Sequence, residues 1–391
     1  MIAELAEIPY ARSVIALEGA HFETIRRTVA TLFRVAHGDG FQRRVDQDAP
    51  ALARHRPRNF AVFMGYDFHL TPAGPRLVEV NTNAGGALLN GLHTAALCDP
   101  VRLACLCAEL HPVETMSERI LDTFRAEQEA ARPGAPLRRV AIADDRPETQ
   151  FLRQEFELFR RLFVEHGIEA RVCDTGQLER VAGGLALGGE RLDLVYLRDT
   201  DWLLDAPRGR ALREAYLTDE VVVTPSPREH HLLASKRRLA LFSSPEELVA
   251  LGATPADAAF LAEVVPETQP LEALGLDAAW RERAGWVFKP SAGFASRAVY
   301  RGDKISRRKL EEIAAAGDFV AQRRVEPGVV EVATSEGTRA MKFDVRAYAY
   351  QDRVLLLGAR VYQGQVTNLR TPGGGFSAIC VVRGSGSGGA A

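Results

Sequence analysis

The chain has 391 residues, 46% apolar and 26% charged, with 49 Lys and Arg against 51 Asp and Glu and a net charge of −2. That balance describes a globular protein long enough for two or three domains and excludes a polycation that binds nucleic acid or a membrane surface by charge alone. No run approaches the roughly 18 apolar residues of a membrane span, and the amino-terminal residues are acidic without an apolar leader, so a cytoplasmic protein is expected.

Over residues 21–36, Ile25, Val29, Leu32, Phe33 and Ala36 recur at helical spacing, with Gly38 placed to end the helix. From Phe60 the pattern turns to strand in two runs, FAVFMGYDFHL and RLVEVN, joined by the turn residues Thr71, Pro72, Ala73 and Gly74. The small-residue loop TNAGGALLNG follows, and helical periodicity then runs to Ala131 with Asp99 and Pro100 as a start signal. Residues 138–224 alternate strand and helix: RRVAIAD, a helix over 149–166 closed by Gly167, IEARVCD, DLVYLRD, a helix, and EVVVTP. This is the pattern of a separate α/β layer of βαβ units. Helices are expected from Glu229 to Trp280, broken at Pro245, Pro255, Pro266 and Pro270. Strand character returns at WVFKPS and RAVYRG, a helix covers 306–316, and FVAQRRV, MKFDVRAYAYQ and RVLLLGARVYQG read as strands. The expected division is 1–135, helices and a hairpin; 136–235, an α/β domain; 236–383, a further α/β part; and 384–391, a flexible tail of linker composition.

Three groups carry chemistry. Glu79 and Asn81 stand two apart on one strand, and the turn folds that strand beside Asp67, so three oxygen-bearing side chains converge. Such a face suits a hard cation like Mg²⁺ with room for phosphate oxygens, although a solvated surface hairpin has the same letters. Lys289 ends an apolar run ahead of Pro290 and the small-residue loop Ser291, Ala292, Gly293, Phe294, Ala295, Ser296. An ammonium beside closely approachable main-chain N–H groups binds phosphate, and a snorkelling strand-end lysine is the plainer reading. Lys342, Asp344 and Arg346 alternate along one strand face, with Arg360 on the next strand across the Gln351-Asp352 turn. Thr367, Asn368 and Arg370 then precede Gly373, Gly374 and Gly375, which favours anion binding over an ion-paired sheet edge.

Lesser features read plainly. No H-x-x-x-H or H-E-x-x-H occurs, so zinc is not expected, and His230-His231 reads as a solvated helix cap. Lys236 is either a nucleotide lysine or part of a charged helix face with Arg237 and Arg238. The five cysteines, Cys98, Cys105, Cys107, Cys173 and Cys380, form no C-x-x-C and fit a reducing compartment better than a disulfide framework.

The segments GYDFHLTPAGPRLVEVN, KPSAGFAS, FVAQRRVEPG, FDVRAY and ARVYQGQVTNLRTPGGG together resemble the ATP-grasp ligases. The D…E-x-N hairpin comes first here and last in ordinary members, an order that resembles the circularly permuted branch with the eukaryotic-type glutathione synthetases; LVYLRDTDW is similar to their substrate-domain strand. The resemblance implies an α/β, α+β ATP-grasp fold, a circularly permuted core with an inserted α/β substrate domain. It also implies Mg²⁺ and ATP, small-molecule carboxylate and amine substrates such as amino acids or short peptides, and no nucleic acid or membrane partner. Carried over to this chain, Asp67, Glu79 and Asn81 hold the metal. Lys289, Ser291, Gly293 and Ser296 bind phosphates, with Lys236 and Asn368 beside the nucleotide and Gln322 and Val325 of the 319–325 hinge at the adenine. Arg346, Arg360 and Arg370 stabilise the transferring group, and Arg198, Arg370, Gly374 and Gly375 meet the substrate carboxylate. The loop after Lys289 lacks the metal-binding glutamate of the synthetases, and the twelve-residue Asp67–Glu79 spacing is closer to that of the unpermuted glutamate ligases. The implied activity is ligation through an acyl phosphate, with a small-molecule kinase or a silent nucleotide-binding module as alternatives.

Overall fold

The computed structural model describes residues 8–97, 113–291, 298–334, 337–365 and 367–382. Gly293, Ser296, the Asp99-Pro100 pair, Cys98, Cys105, Cys107 and the 384–391 tail lie outside the described residues. In chain order, β1 (Tyr10–Glu18) leads to helix Gly19–Ala36, short helices, and the hairpin of β2 (Met64–Thr71) and β3 (Gly74–Asn81). Helices Ala87–Leu97 and Val113–Ala131 precede β4 (Arg139–Asp144), helix Arg153–Glu165 and β5 (Glu169–Asp174). Then come β6 (Leu178–Val181), β7 (Gly184–Leu187), β8 (Glu190–Arg191), β9 (Leu194–Leu197), helix Arg210–Leu217 and β10 (Val222–Thr224). Short helices lead to β11 (Thr268–Pro270), β12 (Trp286–Pro290), β13 (Tyr300–Arg301), helix Arg307–Ala316 and β14 (Phe319–Arg323). The last strands are β15 (Gly328–Thr334), β16 (Gly337–Tyr350), β17 (Arg353–Tyr362) and β18 (Gly375–Val382).

The central sheet has the order β1-β18-β17-β16-β2-β3, with β15 also on β16. β16 is flanked on both edges and buried at every position from 343 to 350, so the charged Asp344 and Arg346 that alternate with its apolar residues are buried as well and must be paired within the protein. Helix Gly19–Ala36 lays Phe22, Ile25, Val29 and Leu32 on one face of this sheet. The other face meets the α/β layer through a ring cluster of Phe63, Phe124, Phe159, Phe163 and Tyr196, with neighbouring centroids 4.9–6.1 Å apart. That layer is the parallel sheet β10-β9-β4-β5. A third, antiparallel sheet, β11-β14-β12-β13, packs on its own helices through Trp286, Phe288, Leu310 and Ile313.

Several local expectations are corrected. Strands β1, β6–β8, β11, β15 and β18 lie where no strand is expected from the sequence. The first is an edge strand whose alternation is legible in VIALE, but whose parallel partner β18 lies at the far end of the chain. The first helix ends at Ala36, and Gly38, at φ −68°, opens the next helix instead of closing this one. His231 is buried with its Nε2 3.0 Å from the Val45 carbonyl oxygen, which can only accept, so the histidine pair is no solvated cap. Cys380 is disulfide-bonded, against the reading of a reduced set, whereas Cys173 is free and buried. No helix among the described residues is long and apolar enough to cross a membrane.

Gly375 shows why the glycine run is where it is. Its φ is +137°, and a Cβ there would lie 2.1 Å from the Pro9 carbonyl oxygen, just where the Phe376 amide donates to that oxygen at 2.9 Å and docks β1. Gly375→Ala should therefore cost about 1–3 kcal/mol, seen as a lower thermal midpoint; an unchanged midpoint contradicts this packing.

Candidate functional site

The hairpin register sets Asp67 directly opposite Glu79 on β3 and Arg346 on β16, while Asp344 on β16 faces Arg360 on β17. Strand alternation thus puts Asp67, Glu79, Asn81, Asp344, Arg346 and Arg360 on one face. Asp67 is the anchor. Arg346 binds it bidentately at 2.6 and 2.7 Å, Arg360 donates at 2.8 Å and the Asn81 amide at 3.1 Å. Burial alone would raise the Asp67 pKa, but the two guanidinium groups overcome it and hold the carboxyl below its usual range. Arg360 also binds Asp344 at 2.7 Å, and Thr367 donates to the same carboxylate at 2.8 Å.

Glu79 differs. Its side chain keeps 28% exposure and its Oε1 holds Lys236 at 2.9 Å. Lys289 donates to Gln322 at 2.7 Å and to the Val78 carbonyl at 3.0 Å, and its burial pushes the ammonium pKa down to about 8 against the pull of Glu79. Gln322 is fixed in turn by donating to Thr268 at 3.3 Å, so strand β14 orients the lysine. Val325 offers its carbonyl to His69 at 2.8 Å.

Two clefts meet along this row. The first lies between the third sheet and the central sheet. Among its lining residues are seven Lys and Arg against four Asp and Glu, which favours an anionic ligand. The second lies between the central sheet, the loop after β3 and the loop after β9, where Trp202 and Asp199 form part of its wall. Glu79, Lys236, Arg360 and Thr367 line both, so a group held by these four is reachable from either side. Ser291 lines the second cleft, accepts from the Lys236 amide at 3.1 Å, and keeps a buried hydroxyl with no partner among the described residues.

The converging metal trio is corrected at Asp67: every oxygen of that carboxylate is engaged by a cation or by Asn81, and its side chain is 2% exposed. Among the described residues there is no grouping of three or more His, Cys, Asp or Glu fit to hold a metal. Glu79 with Asn81 remains as a donor set. One carboxylate and one amide suit Mg²⁺ held jointly with phosphate oxygens, and not a closed protein cage.

Four expected substrate or nucleotide groups are placed elsewhere. Arg198 is buried behind the loop after β3, donating to the Tyr196 hydroxyl at 2.8 Å and lying 3.6 Å from Glu155, so it lines neither cleft. Its strand-end position was legible, but the side chain turns inward onto Tyr196 and Phe156. Arg370 is exposed and sits over the Phe151 ring at 4.9 Å. Asn368 is exposed and accepts from the Arg370 amide at 3.0 Å. Gly374 and Gly375 pack against main chain, at Val361 and Pro9 respectively.

Compared by sequence, the chain matches no family model and no curated protein. Compared by structure, 96% of it aligns with 90% of a glutathione synthetase-like effector from Globodera pallida in its apo form, at a TM-score of 0.60 and 12% identity. The chain has an ATP-grasp fold resembling that of glutathione synthetases. A candidate gamma-glutamylcysteine synthetase from Methylobacillus flagellatus aligns over 94% of this chain and 88% of its own, with a TM-score of 0.50 and 13% identity.

In this ATP-grasp fold the residues that sequence reasoning missed are Trp202, His230 and Thr82. A five-residue π turn, closed by the Ser235 amide on the His230 carbonyl at 3.1 Å, precedes Lys236 and brings His230 into the second cleft. There Trp202 stacks on His230 at 4.2 Å between centroids, and Thr82 hydrogen-bonds its Nδ1 at 2.7 Å. Burial, reinforced by Lys236 and His231, pushes the His230 pKa down to about 3, so the ring is neutral. The sequence signal was a tryptophan in the loop just past a buried strand, four residues after Arg198.

Proposed function

We propose that the protein is an ATP-dependent carboxylate–amine ligase of the circularly permuted ATP-grasp type. The observation that carries this reading is the meeting of a cation-lined cleft with a second, separate cleft at Glu79, Lys236, Arg360 and Thr367. In the proposed reaction a substrate carboxylate oxygen bonds to the γ-phosphorus of ATP as the bond to ADP breaks. The amine then bonds to the acyl carbon and phosphate leaves with the carboxyl oxygen. Such chemistry calls for positioning and charge neutralisation more than for a protein nucleophile. Lys289 and Lys236 bind phosphate oxygens from two sides, and Arg346 and Arg360, pre-aimed by Asp67 and Asp344, face the transferring group. Glu79 and Asn81 would hold Mg²⁺, which supplies further positive charge to the phosphates when bound. The 319–325 segment borders the adenine end of the first cleft, and residues 136–235 form the wall facing the substrates. The early position of the β2–β3 hairpin in the chain, paired with β16, supports the permuted order.

The test is Mg²⁺-dependent ADP release with a panel of amino acids and short peptides. Release that requires both a carboxylate and an amine supports ligation, whereas release with a stable phosphorylated alcohol supports a kinase. Lys289 adds a pH signature. Lys289→Met should weaken ATP binding while keeping the fold, because the aliphatic stem stays and the charge goes. In the wild type, the ammonium is charged below its pKa of about 8 and lost above it. ATP affinity should therefore fall about tenfold between roughly pH 7 and pH 9, and Lys289→Met should abolish that dependence. Calorimetry at the two pH values checks both.

A further inference from the structure

The second cleft has a chemistry of its own. Its cations, Lys236, Arg346 and Arg360, are held by Glu79 or Asp67 at the end it shares with the first cleft. Its other carboxylate, Asp199, is fully engaged: Arg208 donates at 2.9 and 3.1 Å, Thr175 at 3.2 Å and the Asp201 amide at 2.9 Å. The rest of the lining carries no cation: it includes Trp202 stacked on His230, the apolar Leu152, Leu197, Leu369 and Phe376, and neutral polar residues such as Asn83 and Thr200. The two arginines expected to clamp a carboxylate here, Arg198 and Arg370, are not among its lining residues. The Asn83 side-chain carbonyl oxygen and the Ser291 hydroxyl are buried without partners among the described residues, and both residues line this cleft. An acceptor-only oxygen at such a place suits an N–H group of a ligand.

From this we infer that the second cleft takes an amine substrate with an uncharged aromatic or branched apolar side chain, held against the Trp202–His230 pair, and disfavours acidic amino acids. A stacked indole offers a planar apolar surface, and a carboxylate side chain against it would be desolvated while the cleft's two guanidinium groups, of Arg346 and Arg360, are already paired with Asp67. The inference rests on the ligase reading only for the word amine substrate; the selectivity belongs to the cleft.

Calorimetric titration of the full chain with L-phenylalaninamide, L-glutamate and AMPPNP with Mg²⁺, separately and together, tests it. Phenylalaninamide should bind about tenfold or more tighter than glutamate. Trp202→Ala should erase that preference, and Trp202→Phe, which keeps a ring, should retain most of it. Glutamate binding as tightly as phenylalaninamide, or a preference untouched by Trp202→Ala, overturns the assignment. Preference for phenylalaninamide without any AMPPNP binding upholds the cleft assignment and overturns the ligase reading instead.

Discussion

Asp67→Asn should destabilise the fold by about 3–5 kcal/mol, the range for removing one partner of a buried ion pair. The side chains of Asp67, Arg346 and Arg360 are 2%, 9% and 15% exposed, so both guanidinium groups would be left short of compensating charge. An amide also cannot accept on both atoms as the carboxylate does with Arg346. The difference from wild type should depend on pH in one direction. Burial opposes ionisation of Asp67, but Arg346 and Arg360 hold its native pKa below the usual value. Its contribution is then complete above the unfolded-state pKa of about 4 and is lost as pH falls through the lowered native one. Urea unfolding of both proteins should give a gap that is constant near neutrality and narrows in strong acid. A gap below about 1 kcal/mol at neutral pH contradicts the anchor role.

Glu79→Gln should act on turnover more than on folding. Glu79 is the partly exposed carboxylate of the row, shared by both clefts and paired with Lys236. Losing its charge removes preorganised electrostatics where phosphate oxygens and Mg²⁺ are proposed to lie, so turnover should drop on the order of 10²-fold or more. The loss of stability should be smaller than for Asp67→Asn. Unchanged ADP release at saturating Mg²⁺ contradicts the place given to Glu79.

The contrast between these two acids shows what the sequence carried. The hairpin, its turn and the shared face of Asp67, Glu79 and Asn81 follow from period-two alternation and turn chemistry, which act over a few residues. The roles of the two acids do not. Asp67 is an anchor because β2 pairs with β16, which brings in Arg346 from 279 residues away, and no local pattern encodes that pairing. The same holds for Arg198: the end of a buried parallel strand was legible, but whether the side chain faced the cleft or the core was decided by Tyr196 and Phe156 packing beneath it. Arg346 and Arg360 were legible as a pair because they lie on adjacent strands of one hairpin, close in sequence. The glycine run after Arg370 looked like a ligand loop, yet Gly374 packs on the Val361 carbonyl and Gly375 leaves room for Pro9 where β1 docks.

Carboxylate activation is the central claim, and hydroxylamine reports it directly. With ATP, Mg²⁺ and an accepted carboxylate but no amine substrate, hydroxylamine should intercept the acyl phosphate and give a hydroxamate in amounts matching the ADP released, and Glu79→Gln should suppress both. ADP release with an accepted carboxylate and no hydroxamate would contradict the account.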